Sequence, residues 1–140
     1  MMPHTLRRSG RLALAATAAI AACLAVLLAA TASASTIKST NCHVSARYSP
    51  ARGTVSCGGH YSVALRVCVQ VKGAHGKWFV IKGDCSSASG RTPGKISASV
   101  PQFREHCGRT YRVQAIGTVG ARHSSAYYGN FGSTCVGGGY

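Results

Sequence analysis

Apolar and polar positions alternate most regularly at 63–72, where Val63, Leu65, Val67, Val69 and Val71 take the odd places and Arg66, Gln70 and Lys72 lie among the even ones. A period of two is that of a half-buried β-strand, whose successive side chains point to opposite faces. A second run at 78–82 follows Gly73-Ala74-His75-Gly76, and this spacing predicts a hairpin. Setting Val71 opposite Ile81 and Gly73 opposite Phe79 gathers the apolar residues on one face and Arg66, Lys72 and Lys82 on the other; a slip by one residue turns Lys82 inward. In that register Cys68 faces Asp84, so a Cys68–Cys85 bridge is disfavoured unless a bulge intervenes.

Serine, glycine and proline at 86–94 read as loop. Alternation resumes at 95–100, with Ile96, Ala98 and Val100 on one side, and again at 110–117, with Tyr111, Val113 and Ala115 on one side. Segments 44–48 and 125–131 are weaker strand candidates, and 136–140 reads as a glycine-rich tail. Helical periodicity is absent after the first 34 residues, and short alternating runs broken by turn residues predict an all-β sandwich or barrel.

The run Ile96-x-Ala98-x-Val100, a corner, and then Gly108-x-Thr110-Tyr111-Arg112-Val113-Gln114-Ala115 resembles the E strand, corner and F strand of fibronectin type III and related immunoglobulin-like sandwiches. The resemblance implies an antiparallel immunoglobulin-like β-sandwich in which Tyr111 tucks its hydroxyl back onto the corner backbone. Cys107 before the corner glycine departs from that pattern. So does Val113, which stands where antibody domains carry a cysteine, and the antibody disulfide does not carry over. The same topology makes 63–72 and 110–117 neighbours in one sheet with 78–82 at its edge. Arg66, Gln70, Lys72, Lys82, Arg112 and Gln114 then share an outward face, with Trp78 turned toward it near Lys72. This basic face is the candidate binding site, weighed against an ordinary solvated strand surface.

The first 34 residues have the parts of an export signal: Arg7, Arg8 and Arg11, an uncharged alanine-rich stretch, and Ala32-Ser33-Ala34 as a cleavage site, with Ala30-Thr31-Ala32 as a second. A retained anchor and a lipidated Cys23 are weaker alternatives, and Arg7-Arg8 leaves a twin-arginine route open. Removal of the leader takes Cys23 away and leaves Cys42, Cys57, Cys68, Cys85, Cys107 and Cys135, an even set that reads as three disulfides of unassigned pairing in a single secreted domain, 35–135.

Formal net charge falls from +14 to +11 when the three leader arginines leave, and Asp84 and Glu105 are the only acids. Such a surplus favours an anionic polymer or an acidic protein surface. Nucleic acid is admitted by the charge but supported by no motif, and no stable membrane insertion is expected after processing. Two acids leave little material for paired-carboxylate catalysis. The histidines His43, His60, His75, His106 and His123 are scattered, without zinc-binding spacing. The expectation is a non-enzymatic binding module with no cofactor or metal. Its alternatives are an adaptor in a secreted, toxin-like assembly, a cationic antimicrobial or nuclease toxin using Glu105-His106, and a protease inhibitor presenting Arg91-Thr92.

Overall fold

A computed structural model describes residues 32–132. Eight strands follow in order: β1 (Ala34–Thr36), β2 (Cys42–Arg47), β3 (Ala51–Cys57), β4 (Ser62–Lys72), β5 (Trp78–Arg91), β6 (Gly94–Val100), β7 (Tyr111–Val119) and β8 (Arg122–Phe131). They form two four-stranded antiparallel sheets, ordered β1-β2-β3-β6 and β5-β4-β7-β8. Alternation supplies the inner faces: Val44, Val55, Ala98 and Val100 from one sheet meet Val63, Leu65, Val67, Val69, Val113, Ala115 and Ala126 from the other in one core. The architecture is all-β with two stacked sheets, compatible with the expected sandwich.

Two inward glycines set how closely the sheets approach. A Cβ on Gly53 would fall 2.6 Å from Val67 and 2.7 Å from Ala115, and one on Gly117 would fall 2.6 Å from Val44 and 2.8 Å from Val55. Gly53 also explains why β3 escapes the sequence pattern. Its inward positions are Ala51, Gly53, Val55 and Cys57, so the alternation is between small residues and polar ones, and Pro50 and Gly58 flank it as turn residues.

The β6–β7 corner closes one end of the core. Tyr111 is 1% exposed; its hydroxyl accepts from the His106 backbone N–H at 2.9 Å and donates to the His106 carbonyl at 3.4 Å. That is the backbone contact expected of this tyrosine. Phe103 packs edge-on against Tyr111, with ring centroids 5.0 Å apart, and Tyr48 stacks on Phe131 at 3.8 Å.

Three expectations about the β4–β5 hairpin are corrected. The register sets Val71 opposite Phe79 and Gln70 opposite Val80, not Val71 opposite Ile81. Beyond Gln70 it shifts, with residues 81–84 spanning the space opposite Val69 alone, and Cys68 then faces Cys85. Gly83, at φ 94°, lies in this irregular stretch, in a backbone conformation that glycine adopts without strain. The irregularity therefore permits the Cys68–Cys85 bridge that a regular ladder disfavours. Third, 86–91 is strand rather than loop: Ser86, Ser87, Ala88, Ser89, Gly90 and Arg91 all pair with β4. Pairing in the sheet outweighs the low strand propensity of serine and glycine, and Ala88 turns inward to pack on the core.

Two bridges are described, not three: Cys42–Cys57 and Cys68–Cys85. Cys107 is also disulfide-bonded, and Cys135 lies outside the described residues. Most of the leader, with Arg7, Arg8, Arg11 and Cys23, and the 136–140 tail lie outside them as well. Among the described residues no helix is long and apolar enough to cross a membrane.

Candidate functional site

The outward face of the β5-β4-β7-β8 sheet is built by the alternation that fills the core. Even-numbered residues of β4 point away from it, and pairing aligns Lys72 with Trp78, Gln70 with Arg112, Cys68 with Cys85 and Gln114, Gln114 with Tyr127, and Arg66 with Ser87 and Ile116. Four of the expected residues meet directly. The Arg112 Nε donates to Gln70 Oε1 at 2.6 Å, Gln70 Nε2 donates to Gln114 Oε1 at 2.8 Å, and Gln114 Nε2 donates to the Tyr127 hydroxyl at 3.1 Å. The Arg112 guanidinium carbon lies 4.4 Å from the centroid of Trp78 and 4.3 Å from that of Tyr127, so two aromatic rings hold the cation.

Gln70 is only 7% exposed. Its amide oxygen and nitrogen both find partners, as a buried polar group requires. Burial lowers the Arg112 pKa from its ordinary value, while the charge interaction with Tyr127 opposes that shift. The guanidinium stays cationic at any physiological pH. The face is therefore no uniformly solvated strand surface: its centre is a locked cluster of amide, guanidinium and aromatic groups.

The remaining expected residues lie around this cluster. Lys72 is exposed beside Trp78. Arg66 is exposed two rows away, with Nη2 3.8 Å from Cys85 Sγ. Lys82 is exposed within the irregular stretch of β5 and has no paired position on β4, so the structure does not bring it into the cluster. Beside Arg66 a depression of about 540 Å³ is lined by Ala64, Ser87, Ser89, Ile116 and Thr118. Along edge strand β5, Phe79 is 53% and Val80 46% exposed.

Tyr127 is the member missing from the expected face. The alternation of Ser125, Tyr127 and Gly129 on β8 was its only signal, too weak to assign a direction without the pairing of Gln114 with Tyr127. Elsewhere, Glu105 accepts the Tyr48 phenolic hydrogen and the His106 backbone is held by Tyr111. At the end of β5, Arg91 is exposed but the next residue, Thr92, is only 4% exposed. The Thr92 hydroxyl donates to the Gly59 carbonyl at 2.6 Å and accepts from the Tyr61 N–H at 2.9 Å, which fixes the residue after Arg91 inward. Among the described residues no group of three His, Cys, Asp or Glu side chains is placed to hold a metal. No protein-family model, curated protein or solved structure matches this chain.

Proposed function

We propose that this chain is an exported, immunoglobulin-like binding module that engages an anionic partner through the outward face of β5-β4-β7-β8. The immunoglobulin-like assignment is supported by strand order. With β2 to β8 taken as A, B, C, C′, E, F and G, one sheet carries A-B-E and the other C′-C-F-G, and β6 and β7 fall in the E and F places that the corner tyrosine implies. The export assignment is supported by the leader pattern and by the disulfides, which persist in oxidising compartments.

One observation carries the binding role: Arg112 is held between Trp78 and Tyr127 while its Nε is fixed by Gln70. Partner groups meeting this cluster find a cation and two ring edges whose positions are set in advance, which lowers the ordering cost of binding. Lys72 and Arg66 extend the positive potential along the face, and the depression beside Arg66 supplies concave surface. No catalytic step is assigned to it.

Retention on an anionic resin tests the reading. Arg66→Glu together with Lys72→Glu should elute at clearly lower salt than the parent chain, and more so than Lys38→Glu together with Arg104→Glu, which make the same charge change at exposed positions in links outside both sheets. Arg112 is spared because its removal would also disturb Gln70. Equal elution of the two charge-reversed pairs would show that net charge alone governs retention and would discard the face.

A further inference from the structure

The outward face of the other sheet carries a second cationic cluster, built by residues that the face on β5-β4-β7-β8 does not include. Arg47 at the end of β2 lies directly opposite Arg52 at the start of β3. Two residues along, Ser45 pairs with Thr54, and Thr54 pairs in turn with Ser97 of β6. Lys95, two residues before Ser97 on the same strand face, completes the group. Arg47, Arg52, Thr54, Lys95 and Ser97 line a depression of about 190 Å³.

This arrangement carries a cost that a bound anion would remove. Like charges directly opposite one another on paired strands destabilise the pair. Of the two acidic side chains, Asp84 belongs to β5 of the other sheet, and Glu105, in the β6–β7 corner, accepts the Tyr48 phenolic hydrogen. Between the cations the lining is hydroxylic. The Ser45 and Thr54 hydroxyls are 2.6 Å apart; when Ser45 donates, the Thr54 hydroxyl keeps its own hydrogen for a ligand in the depression.

The geometry points to a binding site for a single tetrahedral oxyanion, the phosphate or sulfate group of a larger ligand. Two guanidinium forks can each offer paired N–H donors to such a group, Lys95 adds a mobile point charge, and the Thr54 and Ser97 hydroxyls add neutral donors. The volume admits one oxyanion group, and every lining residue carries a charged or hydroxyl side chain, which suits an anion rather than an apolar group. The site lies on the sheet opposite the Arg112 cluster, so a partner that bridges both would contact the two broad faces of the module. It stands without the binding role proposed for that cluster.

Titration with inorganic phosphate and, separately, sodium sulfate, each at constant ionic strength maintained with sodium chloride, tests it on the full exported chain. Amide shifts followed by NMR should saturate, with the largest changes at Arg52, Thr54 and Ser97. Arg52→Gln and Arg47→Gln should each weaken the apparent affinity at least tenfold, whereas Arg66→Gln on the other sheet should leave it unchanged. Tighter binding of phosphate would assign the group as a phosphate ester, and tighter binding of sulfate as a sulfate ester. Because Arg47 and Arg52 are exposed, their glutamine variants should fold, and at low salt each should melt above the parent chain because the opposed charges are gone. Shifts that rise linearly without saturation, or saturable binding that survives both glutamine variants, would overturn the site. Loss of resin retention in the Arg66 and Lys72 variant, with oxyanion binding intact, would separate the two sheets' roles; loss of retention in that variant together with no saturable oxyanion binding by the parent chain would dismiss this site and leave the Arg112 face standing.

Discussion

Tyr48 sits where the β2–β3 link meets the corner before β7. Its ring stacks on Phe131 and its hydroxyl donates to Glu105. Burial, then the hydrogen bond to Glu105 and the negative charge of that carboxylate, push its pKa from 10.0 to about 12. The sign of the pH effect follows from which state holds the proton. Between the unfolded value near 10.0 and the folded value of about 12, the native chain keeps a proton that the unfolded chain releases. The stabilisation is therefore whole below the lower value and is lost as pH rises through the higher one. Phenolate absorbance should show one tyrosine ionising near pH 12, with unfolding made easier across the same interval. Glu105→Gln should move that ionisation part of the way back, because burial, the largest cause, remains. A titration completed within the ordinary tyrosine range would contradict the contact.

At the scale of elements, the two described bridges differ in position more than in the loop they close. Cys42–Cys57 and Cys68–Cys85 have sequence separations of 15 and 17, so chain entropy assigns each about 3 kcal/mol and cannot rank them. Access can. Cys42 and Cys57 are 0% and 5% exposed on the inner face of their sheet; Cys68 is 4% exposed, but its partner Cys85 is half-buried on an outward face beside the Arg66 guanidinium and offers the accessible sulfur. Thiol–disulfide exchange needs an approach to sulfur. In a graded reduction with alkylation and peptide mass analysis, Cys68 and Cys85 should therefore be labelled before Cys42 and Cys57, and the opposite order would mean that the β4–β5 bridge is the better protected. The same hairpin marks how far the sequence could be read. β4, β6 and β7 were legible because valine, isoleucine and leucine mark their inward faces, and the neighbour relation of β4 and β7 followed from the E–F resemblance. The second half of β5 and the whole of β3 were not, because serine, glycine and alanine carry too little hydrophobic contrast to reveal a period of two. Alternation placed Gln70 on the outward side of one strand and Arg112 and Gln114 on that of another, and the E–F resemblance implied that the two strands share a sheet. Their mutual hydrogen bonds, and the part played by Tyr127, depend on long-range register that no local pattern encodes.

Across the whole molecule, the start of the described chain ties the two sheets together. Ala34 pairs with Ser45 on β2, while Ala32 forms a bridge with Tyr128 on β8. Between them, the Ser33 N–H donates to the Tyr127 carbonyl at 2.8 Å and the Ser33 hydroxyl accepts from the Tyr127 N–H at 2.8 Å. A short segment thus spans the open side between β2 and β8 and covers part of the β8 edge, which would otherwise offer backbone groups to another chain. Under the export reading, signal cleavage after Ala34 would discard Ser33 and these bonds, whereas cleavage after Ala32 would keep them. The exported chain should therefore begin at Ser33. A version beginning at Ser35 should lose about 1 kcal/mol, the net worth of a hydrogen bond or two at an exposed edge, and melt roughly 4–8 °C lower. It should also self-associate more readily at high concentration, because the Tyr127 backbone is uncovered. N-terminal sequencing of secreted material and melting of the two versions decide the matter. A natural start at Ser35, with melting and self-association equal to those of the Ser33 version, would show that the β8 edge needs no such cover and that Ser33 serves only the leader.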